Sequence, residues 1–95
     1  MSVPAHLAST VSLIDRAYPE GVPEADYLPL LSVLYPYMAD ENLVEVISLL
    51  MGRDRDVVMN DVYTAGAAVG LHPDSVAAVR ARLVASGLNE WTRED

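Results

Sequence analysis

Apolar residues recur every three or four positions along nearly all of this 95-residue chain, and prolines and glycines interrupt the pattern. In the first segment Leu7, Val11, Ile14 and Tyr18 follow one another at spacings of four, three and four residues. This spacing places them on one face of an α-helix. Alternation of apolar and polar residues, which is typical of a strand, does not occur over a comparable length. The pattern therefore predicts an all-α fold.

The interruptions divide the chain into five predicted helices. They cover about residues 4–17, 27–38, 41–51, 57–69 and 73–86. Asp26 and Asp40 are predicted N-caps, because a carboxylate can accept hydrogen bonds from the free amides of a first turn. Pro36 should end or kink the second helix, and Gly52 should end the third in a left-handed conformation. We expect a compact five-helix bundle whose last two helices form a helix-turn-helix-like pair.

Length and composition indicate a single domain over residues 1–95. A chain of this size can bury one core, and 52% of its residues are hydrophobic, which is too many for a disordered protein. The absence of cysteine excludes a small disulfide-stabilised protein. We expect an ordered core from about residue 4 to residue 88, and a polar tail over 89–95 in which only Trp91 is apolar.

The sequence shows no segment that would direct the chain to a membrane. No lysine or arginine precedes Arg16 and no long apolar run follows it, so we expect no signal peptide. No run approaches the roughly 18 apolar residues of a membrane-spanning helix. A composition without cysteine agrees with a reducing compartment, and we therefore expect a cytoplasmic protein without membrane contact.

Charge is distributed unevenly, which bears on nucleic-acid binding. The chain has 14 acidic and 6 basic residues, a net charge of −8. Residues 20–61 have a net charge of −7, whereas residues 73–88 have a net charge of +1. Only the last predicted helix is therefore basic, and the remaining surface would repel a phosphate backbone.

The last two predicted helices look similar to the helix-turn-helix of winged-helix regulators, because the turn between them reads Gly70-Leu71-His72-Pro73. In this alternative, the second helix would present Ser75, Ala78, Arg80 and Arg82 to nucleic acid. Two arginines cannot supply the six or more phosphate contacts of a tight site, and no strand pair follows to form a wing. Helix pairs with such turns also occur as packing corners. Nucleic acid is therefore a disfavoured partner.

The second predicted helix is apolar on all sides. From Tyr27 to Met38 only Ser32 is clearly polar, and two prolines interrupt the segment. Such a helix must be buried on several sides, which suits the central helix of the bundle. Alternatively, its end at Tyr35, Tyr37 and Met38 faces a partner. This apolar excess favours a non-enzymatic protein-interaction or adaptor module with an unknown protein partner, a monomer that self-associates at most weakly.

The most distinctive local motif lies between the first two helices. It comprises Tyr18, Pro19, Glu20 and Gly21, followed by Val22 and Pro23. Two prolines and a glycine fix a tight corner and restrict the unfolded chain. The motif is either a structural corner or a contact for a ligand or partner, and the sequence leaves both interpretations open.

The sequence offers no pattern for catalysis or metal binding. His6 and His72 are far apart and fit no ligand spacing. Asp54, Asp56 and Asp61 lack the glycine and the closing glutamate of a calcium-binding loop. No nucleophile motif or glycine-rich phosphate loop is present. We expect no enzyme, no cofactor and no metal, and a small-molecule pocket between helices two, three and five is the weakest alternative.

Several motifs are similar to those of a known family. They are Ala17-Tyr18-Pro19-Glu20-Gly21-Val22-Pro23, Asp26-Tyr27, Pro29-Leu30-Leu31, Pro73-Asp74, and Val79-Arg80-Ala81-Arg82-Leu83 followed by Gly87. Over roughly residues 7–88 the chain resembles the actinobacterial, mostly mycobacterial, domain of unknown function 3349. That family usually places tryptophan directly after the last glycine, where this chain has Leu88. The resemblance implies a monomeric five-helix bundle with no established function, and it supplies no catalytic residue.

Overall fold

A computed structural model describes residues 5–67 and 70–93, except for the side chain of His6. The helices are α1 (Ala8–Ala17), α2 (Glu24–Leu34), α3 (Asp40–Met51), α4 (Arg55–Gly66), α5 (Pro73–Ala85) and α6 (Leu88–Arg93). Two short 3₁₀ turns accompany them, Ala5–Leu7 before α1 and Tyr35–Tyr37 after α2. No strand occurs in these residues, so the all-α prediction is confirmed. None of the described helices is both long and apolar enough to cross a bilayer.

Four sequence predictions fall outside the described residues. They are the start of the first helix at Pro4, the end of the fourth helix at Val69, any ligand role of the His6 side chain, and the last two tail residues, 94 and 95.

The five predicted helices correspond to α1–α5, and proline and glycine mark most of their ends correctly. α2 ends at Leu34 and continues as a 3₁₀ turn through Pro36, because proline lacks the amide that an α-helical hydrogen bond needs. Gly52 ends α3 with a φ of 65°, the left-handed conformation that glycine adopts without steric cost. α5 begins at Pro73, as predicted.

The predicted cap of the second helix is wrong. α2 begins at Glu24, after Pro23, so Asp26 lies inside the first turn rather than before it. The Asp26 carboxylate instead accepts a hydrogen bond from the Tyr18 hydroxyl, at 3.0 Å from Oδ2. The Asp26 carboxylate, which the sequence assigned to capping α2, therefore makes a tertiary contact with Tyr18 instead.

The predicted cap of the third helix is also displaced. Asp40 is the first residue of α3 rather than its cap, and its charge there favours the positive end of the helix dipole. Side chains do cap the next two helices. The Asp54 carboxylate accepts from the amide of Asp56 at 2.8 Å, and His72 Nδ1 accepts from the amide of Asp74 at 3.2 Å.

α2 is the central helix, as its apolar sequence indicates. It packs against both α4 and α5, while α3 packs on α4 and α1 packs on α5. Its four fully buried apolar side chains are Leu30, Leu31, Val33 and Leu34. The bundle is therefore organised around α2, with α4 and α5 on either side of it.

The buried face of α5 is narrow. Val79 and Leu83 are buried, and Val76 is half-buried. Val84 is 42% exposed. Val84 lies roughly 100° around the helix from Leu83, which turns it away from the core. An apolar side of α5 therefore faces solvent.

Residues 89–93, expected to belong to a polar tail, form the sixth helix together with Leu88. Leu88 is buried and Trp91 is only 6% exposed. The Trp91 ring meets the Tyr37 ring edge to face, with 6.0 Å between centroids. Two apolar residues three positions apart are enough to dock this short helix against α1 and α5.

Candidate interaction surface

Tyr18 is held inside the corner between α1 and α2. Its ring is only 3% exposed, and the Arg82 guanidinium carbon lies 4.4 Å from the ring centroid. Burial, together with the hydrogen bond to Asp26, raises the pKa of the Tyr18 hydroxyl. Tyr18 therefore joins α1, α2 and α5 and presents little surface to a partner.

The remainder of the corner is exposed. Pro19, Glu20 and Gly21 lie in a turn in which the Gly21 amide donates to the Tyr18 carbonyl at 3.0 Å. Gly21 has a φ of 99°, so glycine is required by the backbone conformation. This geometry explains the motif as a structural corner, and a partner contact at Pro19 and Glu20 stays a prediction.

Two arginines join the C-terminal ends of α1 and α5. Arg16 Nε donates to the Ser86 carbonyl at 2.9 Å, and Arg82 Nε donates to the carbonyl of Ala17. The last carbonyls of a helix have no intrahelical donor, and a cation there is also favoured by the helix dipole. Each helix therefore supplies the arginine that satisfies the end of the other.

A second cluster of the same composition surrounds Tyr27. Its hydroxyl donates to Asp61 Oδ2 at 2.7 Å, and the Arg53 guanidinium carbon lies 4.2 Å from the ring centroid. Arg53 also forms an ion pair with Glu24 at 2.5 Å, and this hydrogen bond raises the pKa of the arginine. Sequence reasoning missed this cluster because its members are up to 37 positions apart and no local signal connects them.

Tyr35, one of the predicted interface residues, packs partly inward. A Cβ atom on Gly66 would come within 2.6 Å of Cε2 of Tyr35, so the ring rests on the glycine of α4. The Tyr35 side chain is nevertheless 36% exposed. The absence of a side chain at Gly66 therefore makes room for the Tyr35 ring.

Tyr37 and Met38 lie on the other side of the same turn. Tyr37 is 40% exposed, and its hydroxyl accepts a long hydrogen bond from Arg80 Nη1 at 3.5 Å. Met38 is half-buried against the core. The structure therefore brings Tyr37 next to α5, a neighbour that the sequence did not reveal.

An open groove of about 730 Å³ runs along the outer side of α5 and is called the α5 groove below. It is lined by Ser32, Leu71, Pro73, Val76, Ala77, Arg80, Ala81, Val84 and Ala85. Most of the α5 members recur at three- or four-residue spacing, and Ser32 alone comes from α2. The lining residues that the structure describes are apolar except for the Ser32 hydroxyl and the Arg80 guanidinium.

Among the described residues that line the α5 groove, Arg80 is the only charged one. Its hydrogen bond to Tyr37 connects the groove to the exposed turn after α2. Among the residues that the structure describes, no carboxylate forms an ion pair with it. The groove therefore contains a cation that the fold does not neutralise.

The four residues of the helix-turn-helix alternative do not form one surface. Arg80 and Arg82 are two positions apart, which places them roughly 200° apart around the helix. Arg82 contacts Ala17 and Tyr18, whereas Ser75 is exposed in the first turn of α5. α4 and α5 also pack more closely against α2 than against each other.

The α5 groove is not the pocket considered between helices two, three and five, because α3 contributes none of its lining residues. Asp54 caps α4 and Asp61 accepts from Tyr27, so two of the three clustered aspartates have structural partners. In the described part of the chain, no group of three histidine, cysteine or acidic residues is placed to hold a metal ion.

The chain matches the model of a known family. A family model described as "Protein of unknown function (DUF3349)" matches residues 5–92. No curated protein and no solved structure matches the chain.

Proposed function

We propose that this chain, which belongs to the DUF3349 family of proteins of unknown function, is a non-enzymatic module that binds another protein through the α5 groove. The observation that supports this is an apolar, solvent-open face on a helix whose opposite side already packs in the core. An open apolar groove along one helix can receive an apolar segment of another protein. The proposal places the protein in the cytoplasm as a monomer that meets an unknown protein partner.

The chemistry of the groove favours binding over catalysis. Its polar lining side chains are Ser32 and Arg80, and no histidine or carboxylate within residues 5–67 and 70–93, as far as their side chains are described, lines it to act as a base for the serine. A hydroxyl without a neighbouring base is a weak nucleophile. Apolar contact is therefore the interaction that this surface offers most.

Tyr37 extends the proposed surface beyond the groove. It is joined to Arg80 and rests on Trp91, so its ring has a fixed position at the edge of the groove. Tyrosine is among the residue types that are enriched at protein interfaces and contribute most to their binding energy. Of the predicted interface residues, Tyr37 therefore has the strongest support, while Tyr35 and Met38 would form its margin.

The rival function is nucleic-acid binding through Ser75, Arg80 and Arg82. The engagement of Arg82 with Ala17 and Tyr18 weighs against it, and so does the separation of the two arginines around α5. A fluorescent random-sequence duplex at low salt tests it by anisotropy. Binding at about tens of micromolar that weakens on Arg80→Ala would favour the rival over our proposal.

Affinity capture with three immobilised forms of the protein tests the proposed function. The wild type, Ala77→Arg and Ala78→Arg are incubated with a lysate of the organism that encodes the chain. Both alanines are exposed and adjacent, but only Ala77 lines the groove. We expect a protein that the wild type and Ala78→Arg retain and that Ala77→Arg loses. Retention of the same proteins by all three forms, or by none, would contradict the proposal.

A further inference from the structure

The dimensions of the α5 groove suit one kind of partner segment. From Pro73 to Ala85 the groove follows a helix that is roughly 18 Å long, about the length of three helical turns. Ala77, Ala81 and Ala85 recur every four residues along it. Small side chains in this register let a second helix approach closely, since interaxial distance depends on the side chains at the contact.

The position of Arg80 restricts the chemistry of that segment. Any partner that covers the groove removes water from the Arg80 guanidinium, whose hydrogen bond to Tyr37 is 3.5 Å long. A buried cation without a counter-charge is strongly disfavoured. A partner must therefore bring an acceptor to this point, and a carboxylate is the acceptor that arginine binds best, through two parallel hydrogen bonds.

Tyr37 adds a second donor at the same place. Its hydroxyl accepts from Arg80 and retains its own proton for donation. A carboxylate that reaches Arg80 can therefore also accept from Tyr37. Arg80 lies among the apolar lining of the groove and Tyr37 lies beside it, so the site combines one charged contact with apolar contacts along α5.

We propose that the α5 groove receives an amphipathic helix of a partner protein, about three turns long, with an aspartate or glutamate on its apolar face that pairs with Arg80 and Tyr37. This rests on the proposed function and specifies the partner. A second copy of the chain fits less well, because each copy has a net charge of −8 and brings its own Arg80 to the contact. Nucleic acid would meet the arginine but not the apolar lining.

A displayed library of helix-forming 15-residue peptides tests this proposal. The library is selected separately on the wild type and on Arg80→Glu, and binders retained by Ala77→Arg are discarded. We expect wild-type binders to share apolar residues at three- and four-residue spacing and an acidic residue at one fixed position. On Arg80→Glu, lysine or arginine should replace that acid. Arg55→Glu, an exposed arginine outside the groove, should select the same peptides as the wild type.

Synthetic copies of the selected peptides then give the quantitative test by fluorescence anisotropy. Replacing the acid by glutamine should weaken binding by at least about tenfold, and pairing a lysine peptide with Arg80→Glu should restore it. A change of less than about twofold, the absence of a shared acid, or no groove-dependent peptide would overturn the inference. Sedimentation of the wild type as a dimer that Ala77→Arg dissociates would also overturn it, in favour of a second copy.

The two proposals can fail separately. If Ala77→Arg abolishes binding of a natural partner and Arg80→Glu does not change it, the proposed interaction function stands. The proposal of an acidic partner helix is then wrong. If neither substitution changes the binding of a natural partner, the groove is not the binding surface.

Discussion

Arg80 and Arg82 lie two residues apart on α5, yet their surroundings are opposite in character. Arg82 donates to the Ala17 carbonyl and lies over the Tyr18 ring, so it connects α5 to α1. Arg80 points to the other side of the helix, where its contact is the long hydrogen bond to Tyr37 beside an apolar groove. The position of each arginine around the helix axis, and not its residue type, therefore decides whether its charge stabilises the fold or remains available to a partner.

The largest expected effect on stability comes from Trp91, whose ring contacts the tyrosine that binds Arg80. Trp91→Ala removes a nearly buried indole that fixes α6 and contacts Tyr37. We expect the free energy of unfolding to fall by about 3 kcal/mol, because an aromatic side chain is lost from the core. Urea denaturation followed by circular dichroism measures this. Trp91→Phe should retain most of the stability, and an equal loss in both variants would contradict the packing explanation.

Arg82→Ala should give the next largest effect. It removes a hydrogen bond to a helix end and a cation over an aromatic ring, at a partly exposed site, so we expect a loss of about 1–2 kcal/mol. Denaturation followed by the fluorescence of the single tryptophan reports it. Arg82→Lys should recover only part of the loss, since an ammonium group lacks the planar stacking surface. Full recovery would show that charge alone matters here.

Tyr18→Phe tests the ring that Arg82 covers. Loss of the hydroxyl that donates to Asp26 should cost about 1 kcal/mol at neutral pH. The folded state also raises the pKa of this hydroxyl above its ordinary value of 10.0, mainly through burial. The stability linked to that shift is fully present below pH 10 and is lost as pH rises above it.

Urea midpoints measured from roughly pH 8 to pH 11 check this linkage. Above pH 10 the wild type should lose stability more steeply than Tyr18→Phe. Tyr63→Phe, at a 56% exposed position, should follow the wild type. Parallel curves for the wild type and Tyr18→Phe would refute the role of this hydroxyl.

The smallest effects belong to the groove itself. Arg80→Ala and Ala77→Arg should each change the free energy of unfolding by less than about 0.5 kcal/mol, because both residues are exposed and form no buried contact. The same denaturation experiment measures them beside Arg82→Ala. A loss for Arg80→Ala that matches the loss for Arg82→Ala would remove the distinction between the two arginines.

The sequence predicted the helices well because their signals are local. Apolar spacing, Pro36 and Gly52 each act within one or two turns of the chain, so the number and type of the first five helices followed from them. The Asp26 cap failed because the Tyr18 hydroxyl, eight residues earlier, binds the same carboxylate. α6 was missed because composition describes its polar majority, whereas two buried residues decide its docking.

The candidate site was harder to predict than the fold. Tyr37 could be recognised from the apolar character of its segment, but the outer side of α5 could not. Its valine and alanine residues have the composition of a core face, and only the packing of α1 and α2 determines that Val84 stays exposed. The contact between Arg80 and Tyr37 spans 43 positions, beyond the reach of any local pattern.

The paired contacts at the ends of α1 and α5 also bear on how the chain folds. They connect residues that are 70 and 65 positions apart, so neither can form until the intervening helices have brought the two ends together. Contacts that form after the transition state affect the unfolding rate and leave the folding rate almost unchanged. We therefore expect the contacts of Arg16 and Arg82 to slow unfolding of the chain. Stopped-flow measurements on Arg82→Ala should show a higher unfolding rate and an unchanged folding rate.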